Sequence, residues 1–409
     1  MRLADVFMRM VGEQADIEFR AYDGSRAGPR SASVTVEIRS PLAVSYLASA
    51  PGELGMSRAY ITGCLDVVGD LHAALTRMQK VAFGELSPAL RVQVAARLAA
   101  TRIRWPVRRP ALEARMRGWK HSLRRDREAI AHHYDVSNRF YEWILGPSMT
   151  YTCAVYPHEG ASLEEAQYAK HDLVARKLGL HSGMRLLDVG CGWGGMVMHA
   201  AREYGARALG VTLSRKQAEW AQKAIAAAGL GDLAEVRYLD YRSVTESDFD
   251  AISSIGLTEH VGKAQLPRYF DTLYRKLRPG GRLLNHCITR ADNSRSPRVR
   301  GFFNRYIFPD GELLGPGHII STMHDRGFEL RHEENLREHY VRTTAAWAAN
   351  LDRHWDEAVR EVGVERARTW RLYLNASRLG FERNNIELHQ VLGVRLDDAR
   401  SHMPLRPDW

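Results

Sequence analysis

The rhythm of apolar and polar positions changes three times along the chain. Up to about residue 100, short apolar stretches alternate with turns. Ser33-Val-Thr-Val-Glu-Ile38 alternates like a strand, whereas Pro41–Ala50 and Leu71–Phe83 repeat at helical spacing. Gly52-Glu-Leu-Gly-Met-Ser-Arg-Ala-Tyr-Ile-Thr-Gly63 reads as compact and turn-rich. These residues, 1–100, predict a small α+β domain. Residues 101–128, broken by Pro106 and Pro110, read as a connector. From Ala129 to Trp409 a third rhythm takes over. An amphipathic helical pair spans Ile130–Trp143, and Glu164–Leu178 is helical. Then strands and helices alternate: strand 185–189, helix 196–204, strand 208–212, helix 215–228, strand 235–239, strand 250–255, helix 267–277 and strand 281–288. Residues 292–345 interrupt this order as an insertion, 346–378 are helical, and a last strand begins at Val391.

Such alternation predicts an α/β fold with a Rossmann-like, doubly wound, mostly parallel sheet. Its sharpest local feature is Arg185-Leu-Leu-Asp-Val-Gly-Cys-Gly-Trp-Gly-Gly195, a buried strand running through glycines into a helix. Glycines allow a ligand to lie against bare backbone, and the helix N-terminus beyond offers free N–H groups. No Gly-Lys-Ser/Thr follows, so this is not a phosphate-binding P-loop. In an open sheet the ligand sits beyond the carboxyl ends of the strands. Candidate binding residues there are Asp188, Gly190, Cys191, Gly192 and Gly194 after the first strand, Thr212, Leu213 and Gln217 after the second, and Asp240 with Tyr241 after the third. Asp240 suits the amino group of an adenine.

Composition changes this picture in one place. The chain has 409 residues, formal net charge +10 and 45% hydrophobic residues, ordinary for a folded protein of two domains. Between Arg102 and Arg127 ten Lys/Arg face two acidic residues, a local net of +8, with Trp105 and Trp119 interleaved. Basic residues with Trp suit an anionic membrane surface. Nucleic acid would suit the charge equally, but no Asn/Asp-Pro-Pro-Tyr or Pro-Cys motif of nucleic-acid methylation accompanies it, so no nucleic-acid partner is expected. No apolar run is long enough to span a bilayer and no secretory leader is evident. The four cysteines (64, 153, 191 and 287) show neither disulfide nor zinc spacing. A cytoplasmic protein, peripheral at the inner face of the membrane, is expected.

Six motifs in order carry a resemblance to the cyclopropane-fatty-acid synthase (mycolic acid cyclopropane synthase-like) family of S-adenosylmethionine (SAM) dependent methyltransferases. They are Tyr134-Asp135 with Asn138, Tyr151-Thr-Cys153, Gly190–Gly195, Val211-Thr-Leu-Ser with Gln217, Glu259-His-Val-Gly262, and Tyr306-Ile-Phe-Pro-Asp-Gly311. The resemblance is strong over 129–395 and weaker through Gly52–Gly63. It implies a class I methyltransferase fold, with Tyr151 and Thr152 added to the cofactor site, and a lipid-associated role for the domain 1–100. It also implies a catalytic bicarbonate ion held by Cys153, Glu259, His286, the Ile288 backbone and Tyr340. Some members carry a Cys on the late helix where this chain reads Leu374-Asn-Ala-Ser377, so no thiol is expected at Ser377.

The implied reaction is methyl transfer to the cis double bond of an unsaturated phospholipid acyl chain. Direct loss of a proton from the transferred methyl closes a cyclopropane; after a hydride shift that moves the cation onto the methylated carbon, a proton loss leaves a methylene branch instead. Ser253-Ser-Ile-Gly-Leu-Thr-Glu-His260, Leu284-Asn-His-Cys-Ile-Thr-Arg290 and Phe381-Glu-Arg-Asn-Asn385 most resemble the branch making 10-methylene acyl chains, precursors of tuberculostearic-type lipids. A separate reductase would finish that product, and a homo-oligomer is compatible with the pattern. A SAM-binding lipid sensor without catalysis is the remaining alternative.

Overall fold

The structure is a computed structural model describing residues 2–12, 15–50, 52–78, 107–114, 136–294 and 301–409, with positions 125, 296 and 299. Most of the basic connector 101–128, and the Tyr134-Asp135 motif, lie outside the described residues. Two compact units form. The first comprises Met1–Arg115, Arg300–Ile307 and Trp355–Leu379; the second comprises Met116–Val299, Phe308–His354 and Gly380–Trp409. The first unit therefore takes in two later segments, which continuity along the sequence does not reveal.

The first unit carries a four-stranded sheet of order β2-β1-β3-β4, built from β1 (Glu18–Ala21), β2 (Arg26–Ala27), β3 (Thr35–Ile38) and β4 (Leu65–Val68). The turn-rich segment Gly52–Gly63 is instead mostly a helix, Glu53–Ile61. A Cβ on Gly55 would sit 2.3 Å from the carbonyl oxygen of Ala50 and 2.7 Å from that of Tyr46. That glycine marks a close packing contact inside a helix, not a turn. The late helix Val364–Glu382 is pinned into this unit by Arg368, which donates to the carbonyls of Tyr60 (2.6 Å) and Leu65 (3.0 Å) and to Asp66 (2.8 Å).

The second unit is a seven-stranded sheet of order β10-β11-β9-β8-β5-β6-β7. Its strands are β5 (Arg185–Val189), β6 (Arg207–Thr212), β7 (Ala234–Tyr238), β8 (Phe249–Ile255), β9 (Leu277–Arg290), β10 (Phe328–Asn335) and β11 (Ile386–Arg395). Pairing is parallel from β7 through β9, and β11 runs antiparallel to both its neighbours. Consecutive residues on β5 enter different cores. Leu186 packs with Val197, Ala221 and Ile225, and Leu187 with Leu266, Phe270 and Leu273. Helices thus cover both faces, the condition under which parallel strands become continuously apolar. The order reverses at β5, whose neighbours are β6 and β8, so a crevice opens at the carboxyl ends of these strands.

One element departs from the expected order. The 292–345 segment is not wholly an insertion: it contains a helix, Pro316–Asp325, and the edge strand β10. Only Phe328 of β10 is fully buried, so Phe-Glu-Leu-Arg-His-Glu-Glu-Asn carries little of the alternation that announces a strand.

Candidate active site

β5 ends at Val189 and the chain turns through Gly190 and Gly192 before the helix Gly195–Tyr204. At Gly192, φ is 55° and nothing lies within 4 Å of where a Cβ would stand. The backbone there is bare on its open side, as the sequence anticipates. The loop is held from below by Cys191, whose Sγ would stand 2.8 Å from a Cβ on Gly210 of β6. Cys191 is buried and its thiol is pushed well up by burial, so it fills space rather than reacting.

A cavity of about 450 Å³ opens over this turn. Of the expected cofactor residues, Tyr151, Thr152, Asp188, Gly190, Cys191, Gly192, Thr212, Leu213, Gln217 and Tyr241 line it. Two do not. Gly194 instead faces Ala221, with 3.2 Å to a built Cβ. Asp240 caps the short turn Tyr241–Ser243, and its carboxylate accepts from the Arg242 backbone N–H (2.9 Å), Nε (2.8 Å) and Nη2 (2.7 Å). Arg242 itself reaches the cavity wall. Thr212 bonds Gln217 through its hydroxyl at 2.8 Å, which orients the amide at the second strand end.

The wall also holds Lys170, absent from the residues expected from sequence. It projects from the helix Leu163–Leu178 and donates to the Thr152 hydroxyl at 3.1 Å. Burial pulls its ammonium down to about 7, against the pull of Asp188. Burial likewise pushes Asp188 up to about 6, although Ser253 donates to it at 2.6 Å. Gln167, one turn before Lys170, donates to the Thr152 carbonyl at 2.9 Å. A signal for both was present: Ala166, Val174 and Leu178 form an apolar helical stripe, and Gln167 and Lys170 sit within that buried face.

The five residues of the implied ion site lie outside that cavity lining, and a chain of bonds connects four of them. Glu259 stands on the short helix Thr258–Val261, and its Oε1 accepts from the Ile288 backbone N–H at 2.7 Å. That N–H, expected on the ion, is therefore committed to Glu259. Ile288 faces Leu388 across the β9–β11 pair, and the Leu388 carbonyl accepts from Leu336 at 2.8 Å. The Leu336 carbonyl meets Cys153 Sγ at 3.7 Å, and Tyr340 follows one turn later. His286 lies two residues before Ile288 on β9, hence on the same face. Oε2 of Glu259 and Nε2 of His286 are both enclosed and find no hydrogen-bond partner among the described residues. Burial pushes Glu259 up to about 7 and holds His286 well below the usual histidine range, Lys170 and Lys177 adding to the latter. Burial also raises the Cys153 thiol far above its usual value, so it is not a nucleophile. Ser377, on the late helix, belongs to the first unit.

An aromatic series runs between the two clusters. Tyr340 stacks on Phe381 (4.4 Å between centroids) and meets Trp347 edge-on; Trp347 meets Tyr151 at 5.1 Å, and Tyr151 meets Tyr141. Tyr141 packs on Trp193 at 4.7 Å, and the Trp193 indole donates to Asn138 at 3.0 Å.

The profile of the family described as "Mycolic acid cyclopropane synthetase" matches residues 121–391. The chain belongs to that family. Membership makes it a SAM-dependent methyltransferase, and its seven-stranded sheet is the class I methyltransferase fold. A probable fatty acid methyltransferase of Mycobacterium tuberculosis is 52% identical over 408 residues, covering 97% of this chain and 95% of that protein. The cyclopropane-fatty-acyl-phospholipid synthase of Escherichia coli is 34% identical, covering 64% of this chain and 66% of that one. Among solved structures, the mycolic acid cyclopropane synthase CmaA1 complexed with SAH and CTAB superposes with TM-score 0.62 at 31% identity, covering 66% of this chain and 98% of that one. In this synthetase-family member, therefore, the 450 Å³ cavity is the place to seek the cofactor.

Proposed function

We propose that this protein transfers the SAM methyl group to the cis double bond of an oleoyl chain in a phospholipid, giving a 10-methylene acyl product. The observation that carries this reading is a pair of orphaned polar atoms, Glu259 Oε2 and His286 Nε2, each enclosed and without a hydrogen-bond partner among the described residues. A buried polar atom without a partner costs stability unless a ligand supplies one. A small oxyanion fits the donor set: an uncharged imidazole, a carboxyl that burial keeps partly protonated and the Tyr340 phenol. Glu259, His286, Tyr340 and Cys153 would hold a bicarbonate ion, which supplies a proton acceptor in a site without free water.

The cofactor's fit rests on the bare Gly192 backbone, the Gln217 amide and the cavity-lining Lys170 and Asp188, a polar set suited to a zwitterionic amino-acid end. SAM supplies an electrophilic methyl on sulfur. An alkene is a weak nucleophile, so the chain's own contribution is alignment and dryness. As the alkene carbon bonds the methyl and the sulfur–methyl bond breaks, positive charge appears on the neighbouring carbon. Tyr151 on the cavity wall, with Trp347 and Tyr340 packed in series behind it, would supply aromatic faces to stabilise it. For the methylene product a hydride moves from the methylated carbon to that neighbour, and a proton then leaves the transferred methyl for the base, so that the net gain is one CH2.

The basic run 102–127 would hold the enzyme on anionic lipid, and a reductase would consume the methylene product. The relatives named as cyclopropane synthases favour a second reading, ring closure from the same cation. Incubating the full chain with SAM and oleoyl phospholipid vesicles tests both. Mass spectrometry is expected to record a gain of one CH2, and proton NMR an exocyclic methylene. Cyclopropyl protons would replace the product assignment, and the absence of any mass gain would overturn the reading.

A further inference from the structure

His286 is held from behind by a dry row of side chains. On β11, Gln390 stands directly across from His286, and its Nε2 lies 3.1 Å from His286 Nδ1. The Gln390 Oε1 accepts from Lys177 Nζ at 2.7 Å, and the same ammonium bonds Glu334. Lys177, Gln390 and His286 are each at most 1% exposed. Lys177 comes from the last turn of Leu163–Leu178, two turns beyond Lys170.

We infer that Lys177 and Gln390 are positioning residues that fix the tautomer of His286, so that its Nε2 carries the proton and donates into the site. The argument is one of donor and acceptor inventory. An ammonium has only donors, so the Gln390 oxygen must face Lys177. The amide's nitrogen then faces His286 and can only donate, so Nδ1 must accept. A neutral imidazole that accepts at Nδ1 has its proton at Nε2, the atom left without a partner. Glu334, reaching the surface at 37% side-chain exposure, anchors the far end of the row. The row prevents two errors: an inverted imidazole that would present a lone pair to an incoming anion, and a protonated one. Lys170 and Lys177 both disfavour a second positive charge on the ring.

This inference rests on the reading of His286 as a site residue, and its test separates the two. In the full chain labelled with 15N-histidine, the His286 resonances, identified by their loss in His286→Asn, are expected to report a neutral ring protonated at Nε2. Gln390→Glu turns the facing group into an acceptor and is expected to move the proton to Nδ1. Lys177→Met frees the amide to turn and is expected to give mixed tautomers. In both, kcat should fall about 100-fold, the lower end for a misplaced acid–base group, while the cofactor KM stays within about twofold. The inference is overturned by an Nδ1-protonated His286 ring in the wild type. An unchanged tautomer in folded Gln390→Glu also overturns it. If the tautomers respond as expected while no lipid gains a methyl group, the row stands and the proposed function falls.

Discussion

At the residue scale, Glu259 is a carboxyl whose protonation is set by its burial. Its carboxyl titrates near 7 because burial disfavours the charge, against 4.5 for the unperturbed group. The folded form therefore binds this proton more tightly than the unfolded chain. Its contribution to stability is fully present below the unfolded value, is lost as pH rises between 4.5 and about 7, and is flat above that. Glu259→Gln removes the ionisation while an amide oxygen can still accept from Ile288. Thermal melts should find the variant a few degrees more stable than wild type at pH 8.5 and equal at pH 4, with activity lost. Glu259, His286, Cys153 and Tyr340 could be grouped only through the order of the motifs, since no spacing announces residues drawn from a short helix, β9, a loop and the helix Arg337–Arg353. The Arg242 side chain that takes the Asp240 carboxylate, two residues on, is a partner that an acidic strand end does not announce in the sequence.

At the scale of elements, the approach of β6 to the helix Gly195–Tyr204 is set by a missing side chain. A Cβ on Gly210 would stand 2.7 Å from Val197 Cγ2 and 2.8 Å from Cys191 Sγ. Gly210→Ala must therefore push the glycine turn away from the sheet. Urea unfolding is expected to record a loss of about 1–3 kcal/mol, the usual range for overpacking, together with weaker SAM binding because the turn itself is displaced. The parallel strands were legible because burial on both faces makes them continuous apolar runs between glycines. β10 was not, because an edge strand with one face in solvent resembles a polar loop. The helix Glu53–Ile61 was obscured for a different reason: Gly55, read as punctuation, is there to admit the neighbouring helix backbone.

At the scale of the molecule, charge and hydropathy divide the work. No helix among the described residues is long and apolar enough to cross a membrane, while the net charge is +10 with a local +8 between residues 102 and 127. If that run seats the enzyme on its substrate surface, attachment is electrostatic. Each cation near an anionic bilayer contributes about 1 kcal/mol and is screened within a Debye length. Sedimentation with phosphatidylglycerol-containing vesicles should fall steeply between 0.05 and 0.5 M salt and vanish with purely zwitterionic vesicles. Retention unaffected by salt would point to apolar insertion instead.

The first unit's composition from three separated segments sets the order in which the protein can be made. Its sheet emerges first from the ribosome, yet the helix bearing Arg368, which ties together the Tyr60 and Leu65 carbonyls and Asp66, emerges after β10 and most of the second unit. The earliest part of the chain to be synthesised is thus among the last to be finished. Until then it carries buried carbonyls without their donor, and a fragment ending at residue 115 inherits that deficit permanently.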